Sequence, residues 1–112
     1  MTPGLRKHRQ ASLRVAIPAL PEDMTPVTRE LIDVKSDNQR KGHATALMHQ
    51  VTLEADKQWM TLLIQVKPFA DGMTVEQLKK WYGRFGFVEI QAEPCCLMAR
   101  SPQRVTRIVR LN

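Results

Sequence analysis

Six consecutive residues, Gln39-Arg40-Lys41-Gly42-His43-Ala44, have the types and order needed to hold a phosphate. They lie between an apolar, strand-like run and a helix-like run. Backbone N–H groups in the opening turn of a helix lack intrahelical acceptors, and the helix dipole adds partial positive charge there. Arg40 and Lys41 add full charges, and Gly42 lets the main chain approach an anion with no side chain in the way. The chemistry implied is the gripping of a phosphorylated ligand.

The elements that must position this loop follow from periodicity. Ser12 to Ile17 alternates as a strand, and Pro18, Pro21 and Pro26 then enforce an extended or turning connection. Thr28 to Ser36 is the next strand. From Gly42 to about Lys57, Ala44, Leu47, Met48, Val51 and Ala55 recur at helical spacing. Met60 to Val66 is a near-continuous apolar run, which predicts a strand covered on both faces. Lys67 to Gly72 reads as a loop, and Thr74 with Gln77 forms a capping box for a helix ending near Arg84. Gly86 closes that helix, Phe87 to Gln91 is a strand, and Cys95 to Arg100 returns antiparallel across Ala92-Glu93-Pro94. The order is that of an α/β domain with a strand-helix-strand crossover at its centre.

Two patterns in this frame resemble the GNAT superfamily of acetyl-CoA-dependent N-acetyltransferases. Gln39, Gly42 and Ala44 fit the family's phosphate loop, Gln/Arg-x-x-Gly-x-Gly/Ala, and Tyr82, Gly86 and Phe87 fit its later Tyr-x-x-x-Gly-Phe pattern. The resemblance runs from Thr28 to Ser101. It implies a GNAT-like mixed central sheet with two main helices, whose two central parallel strands splay apart around Asp33 to Ser36 to admit acetyl-CoA. The amides of Arg40, Lys41, Gly42, His43 and Ala44 would then hold the pyrophosphate, with Gln39 bracing the loop. The coenzyme arm would pair with Val34, Lys35 and Ser36, an N–H near Val34 facing the thioester oxygen. By the same resemblance Tyr82 is the general acid for the departing sulfur. Glu30 and Asp33, on the strand leading to the loop, are the candidate bases, with Glu30 the choice. Val75 stands where many members place an asparagine, and the family's usual N-terminal strand and two helices have no counterpart before Ser12. The acceptor pocket is therefore expected to be open, completed by another subunit, or lost, and an open one suits an amine on a protein or other macromolecule.

The 112 residues are enough for one domain, with residues 1–10 as a flexible basic lead-in, 28–101 as the coenzyme-binding core and 102–112 as a basic tail. Val105, Ile108, Val109 and Leu111 make that tail an added strand or a dimer contact. Adjacent Cys95 and Cys96 supply no disulfide framework, and the chain has no apolar run of membrane-spanning length, which suits the cytoplasm. No metal is expected, because His8, His43 and His49 lack ligand spacing.

The net charge of +6 lies at the ends: residues 22 to 93 hold nine basic and eleven acidic side chains. Arg6, Lys7, Arg9 and Arg14 precede this stretch, and Arg100, Arg104, Arg107 and Arg110 follow it. Solvated ends are the favoured reading. The competing one is a non-catalytic GNAT-fold protein that inhibits or binds a nucleic acid or protein partner through them.

Overall fold

The computed structural model describes residues 1–9, 11–36, 42–67 and 73–103. Six strands form one mixed sheet: β1 (Gly4–His8), β2 (Ala11–Ala16), β3 (Thr28–Ser36), β4 (Thr61–Gln65), β5 (Val88–Gln91) and β6 (Leu97–Arg100), in the spatial order β1-β2-β3-β4-β6-β5. Helix α1 (His43–Lys57) crosses from β3 to its parallel neighbour β4, and α2 (Val75–Gly83) leads from β4 toward β5. The remaining pairings are antiparallel. Among the described residues no helix is long and apolar enough to cross a membrane.

Residues 4 to 8 form a strand rather than the expected flexible lead-in. β1 is an edge strand, where charged side chains are ordinary, so its basic composition hid a real alternation. Arg6 faces inward and its guanidinium donates to Glu54 of α1 at 2.8 Å, while Arg9, with φ +55°, opens the tight turn into β2. The tail from residue 104 lies outside the described residues, and with it the expected strand or dimer contact.

Register places both helices on one face of the sheet, since laterally paired residues point the same way. Arg6, which reaches α1, pairs with Leu13. Lys79 of α2 reaches Glu89 at 3.0 Å, and Glu89 pairs with Met98, which pairs with Ile64 and so lies in line with Leu31 and Val15. Leu13, Val15, Leu31, Leu62, Ile64 and Met98 therefore form the sheet half of the core under Leu47, Met48, Val51, Leu78 and Tyr82. Full burial of each such aliphatic side chain contributes about 1.5–3 kcal/mol. The opposite face carries Ala16, Glu30, Leu63, Ala99 and Val88 in one row. This corrects the reading of β4 as covered on both faces: Leu62 and Ile64 are buried, whereas Thr61, Leu63 and Gln65 are only half-buried.

A buried ion pair ties β6 to α1. Arg100, which sequence reading assigned to a solvated basic end, is buried and donates to both carboxylate oxygens of Asp56 at 2.7 and 3.0 Å. Its Nε also donates to the Phe85 carbonyl, and the Gln103 amide donates to Asp56 at 2.8 Å. Burial works to raise the Asp56 carboxyl. Hydrogen bonds from Arg100 and Gln103, with the Arg100 charge, outweigh that effect and hold it below the ordinary carboxylate range.

Candidate functional site

The central parallel ladder is short. β3 and β4 are paired only from Thr28↔Thr61 to Leu31↔Ile64. Beyond that rung β3 continues along β2 alone, and β4 continues along β6 alone. A bulge accompanies the parting: Arg14 pairs with Ile32 and Ser12 with Lys35, so Asp33 and Val34 together oppose Leu13. Asp33 sits in the left-handed region at φ +55°, the strained position that turns the strand. This is the splay expected between Asp33 and Ser36.

A cavity of ≈ 320 Å³ fills the gap. Glu30, Ile32, Asp33, Val34 and Lys35 line it from β3, Gln65 and Lys67 from the end of β4, and Tyr82 from α2. Leu31 and Ile64 line it where the strands meet. Of the residues chosen from sequence, the fold thus brings together Tyr82, Glu30, Val34 and Lys35. Ser36 follows on the same strand with its main chain paired to Ala11. Gly42, His43 and Ala44 do not line the cavity and stand instead at the start of α1, one loop beyond β3. Gln39, Arg40 and Lys41 lie outside the described residues. Gln65 and Lys67 were missed. Their signal was topological, because open α/β sheets bind ligands beyond the carboxyl ends of adjacent parallel strands.

Local chemistry explains each placement. Gly42 caps α1 with φ +70°, and a Cβ built there meets nothing within 4 Å, so the position is open as well as left-handed. The capping box of α2 is complete: Thr74 Oγ1 accepts from the Gln77 N–H at 3.2 Å, and the Thr74 N–H donates to Gln77 Oε1 at 2.9 Å. That start sets the phase which turns Leu78 and Tyr82 into the core. Val75 packs at the core margin. Gly86, with φ +95°, is required on two counts, since a Cβ there would strike the Gln103 side chain and crowd Arg100 at 3.2 Å. Gly86→Ala is therefore expected to cost more than about 1 kcal/mol in urea unfolding. A neutral result would mean that the turn does not hold Gly86 at φ +95°.

Tyr82 is 4% exposed and has edge contacts with Trp81 and Phe87. Burial pushes its phenol up to about 12. The two candidate bases differ. Asp33 is engaged by Arg14 at 3.0 Å, whereas no ion pair holds Glu30 among the described residues. Glu30 belongs to the sheet face without helices, so it approaches the cavity from the side opposite α2. His49 packs edge-on against Phe85, and His8, expected in a tail, lies on β1 with its ring 6.0 Å from that of His43. Cys96 packs against the core, and burial pushes its thiol up, which disfavours the reactive thiolate.

No protein-family model matches the chain, and no curated protein matches it by sequence. Solved structures do match. The anti-CRISPR protein AcrVA5 superposes with a TM-score of 0.67 at 18% identity, over 88% of this chain and 99% of that one. An acyl-CoA N-acyltransferase from Pseudomonas aeruginosa gives 0.57 at 23% identity, and a GNAT-family acetyltransferase from Desulfovibrio desulfuricans gives 0.59 at 14%. Each covers 82% of this chain, which spans 60% of their length. With a splayed parallel pair, a bulge at the splay and these structural neighbours, the chain has a GNAT-like fold in a short form.

Proposed function

We propose that the protein is an N-acetyltransferase that moves an acetyl group from acetyl-CoA to a primary amine on a protein or other macromolecule. One observation carries this reading: the cavity between the splayed strands has Tyr82 and Glu30 on its walls and runs along Val34 and Lys35 of β3. The coenzyme arm would run beside Val34 to Ser36, with its pyrophosphate at Gln39 to Ala44. The acceptor would arrive from the face that carries Glu30, over which neither α1 nor α2 packs. An approach that neither helix covers suits a macromolecular amine better than a small metabolite that needs enclosure.

Acyl transfer joins the amine nitrogen to the thioester carbon, expels the sulfur as thiolate and releases one proton from nitrogen. Glu30 takes that proton directly or through water, and Tyr82 supplies the hydrogen bond to the sulfur. Burial pushes the phenol up to about 12 and so keeps it protonated, as a proton donor must be. Tyr82 acts as the general acid toward the departing sulfur. Tyr82→Phe should lower kcat about 100-fold with KM for acetyl-CoA unchanged, read as thiol release with poly-L-lysine as acceptor. An equally fast variant would leave Tyr82 as packing alone.

The direct test is calorimetric titration with acetyl-CoA, with free coenzyme A alongside. Micromolar binding is expected. A folded protein that binds neither would support a second reading, a non-catalytic binding or inhibitory protein; the name of the anti-CRISPR neighbour bears on inhibition alone. The basic ends lend that reading less than their composition suggested. Arg100 is buried in its pair with Asp56, and Arg6 and Arg14 are engaged by Glu54 and Asp33.

A further inference from the structure

The cavity is a wedge, and its apex is a single rung of the sheet. β3 and β4 are held together up to Leu31↔Ile64 and diverge immediately after it, with Ile32 to Lys35 on one wall and Gln65 to Lys67 on the other. Leu31 and Ile64 are each 2% exposed, so the rung is packed into the core, and Tyr82, 4% exposed, lines the same cavity. A linear thioester that enters at the carboxyl ends of the strands meets this rung head-on.

We infer that the Leu31–Ile64 rung, with Tyr82 beside it, is the stop that sets the length of the acyl group and confines the donor to acetyl-CoA. The inference rests on the acetyltransferase reading and adds a specificity determinant to it. The cavity of ≈ 320 Å³ sits at the small end of ligand pockets, which run from about 300 to 1,000 Å³. A coenzyme arm lying along Val34 and Lys35 would share that space with the acyl group. Each methylene beyond acetyl must then press into the rung, and close-packed interiors resist added volume. Ile64 is the more useful lever of the pair, because it belongs to β4 and stands apart from the bulge at Asp33 and Val34 that shapes the thioester end.

The test is calorimetric titration of the full chain with free coenzyme A, acetyl-CoA, butyryl-CoA and hexanoyl-CoA, repeated on Ile64→Ala and on the gentler Ile64→Val. The parent is expected to bind acetyl-CoA at least tenfold more tightly than hexanoyl-CoA. Ile64→Ala should narrow that ratio to within about threefold, and Ile64→Val should shift it in the same direction should the alanine variant fail to fold. A parent that binds hexanoyl-CoA as tightly as acetyl-CoA overturns the inference while leaving the acetyltransferase reading intact, since longer chains would then escape past Glu30 and Ile32. A ratio unmoved by either substitution overturns it as well. A parent that binds neither free coenzyme A nor any thioester removes both readings together.

Discussion

Gly42→Glu is expected to abolish acetyl-CoA binding, a loss of at least 1,000-fold, while the protein remains folded. The residue caps α1 at φ +70°, and a Cβ added there meets no atom within 4 Å, so a side chain can leave the backbone without a clash. What it does meet is the left-handed backbone, at about 1–2 kcal/mol, and the ligand's phosphates, beside which it plants a negative charge. The repulsion acts at the helix terminus that would otherwise favour an anion. Titration calorimetry reads the binding, and circular dichroism with a thermal melt reads the fold. Gly42→Asn separates the two contributions, because asparagine tolerates the left-handed region and brings no charge. It should retain most of the affinity. Undiminished binding by the glutamate variant would place the phosphate loop elsewhere in the chain.

Arg100→Met should destabilise the fold by about 3–5 kcal/mol, the usual cost of leaving one member of a buried ion pair alone. Three partners would lose the guanidinium: both carboxylate oxygens of Asp56 and the Phe85 carbonyl. Replacing the two charges together, as Asp56→Leu with Arg100→Met, should recover much of the loss, because apolar side chains of similar volume avoid the desolvation cost. Urea unfolding of both variants decides the matter, and a single-variant cost under about 1 kcal/mol would mean that the pair is solvated. The same pair sets an acid dependence. Asp56 is held below its ordinary value of about 3.9, so its contribution is present above that pH and is lost as pH falls through the folded value. Melts between pH 5 and 2 should show a falling Tm in the parent and a shallower fall in Arg100→Met.

The two substitutions also illustrate where sequence reading succeeds. Gly42 was legible as the glycine that opens α1 from its place between basic residues and an apolar helical stripe, and it caps that helix at φ +70°. Arg100 was not. It ends an apolar strand and precedes a basic tail, and its neighbours in sequence say nothing of Asp56, which lies forty-four residues away on α1. Its role is visible only in the fold, where it meets Asp56 and the Phe85 carbonyl and where Gly86 carries no side chain to crowd it.

The local elements follow from the chain's own pattern. β3 covers the expected Thr28–Ser36, α1 begins one residue after Gly42, and α2 starts at its capping box. Each depends on contacts within one turn or one strand, which neighbouring residues specify. β1 was illegible for a related reason, since an edge strand with charged side chains has the composition of a solvated tail until β2 pairs with it. The candidate site belongs to a different order of information. Tyr82 and Val34 are separated by a helix, a strand and a loop, and they line one cavity because β3 and β4 part after Leu31↔Ile64 while α2 packs on the same face as α1. Strand parting and helix side are settled by long-range register and by which faces can be buried together, and no local periodicity encodes either.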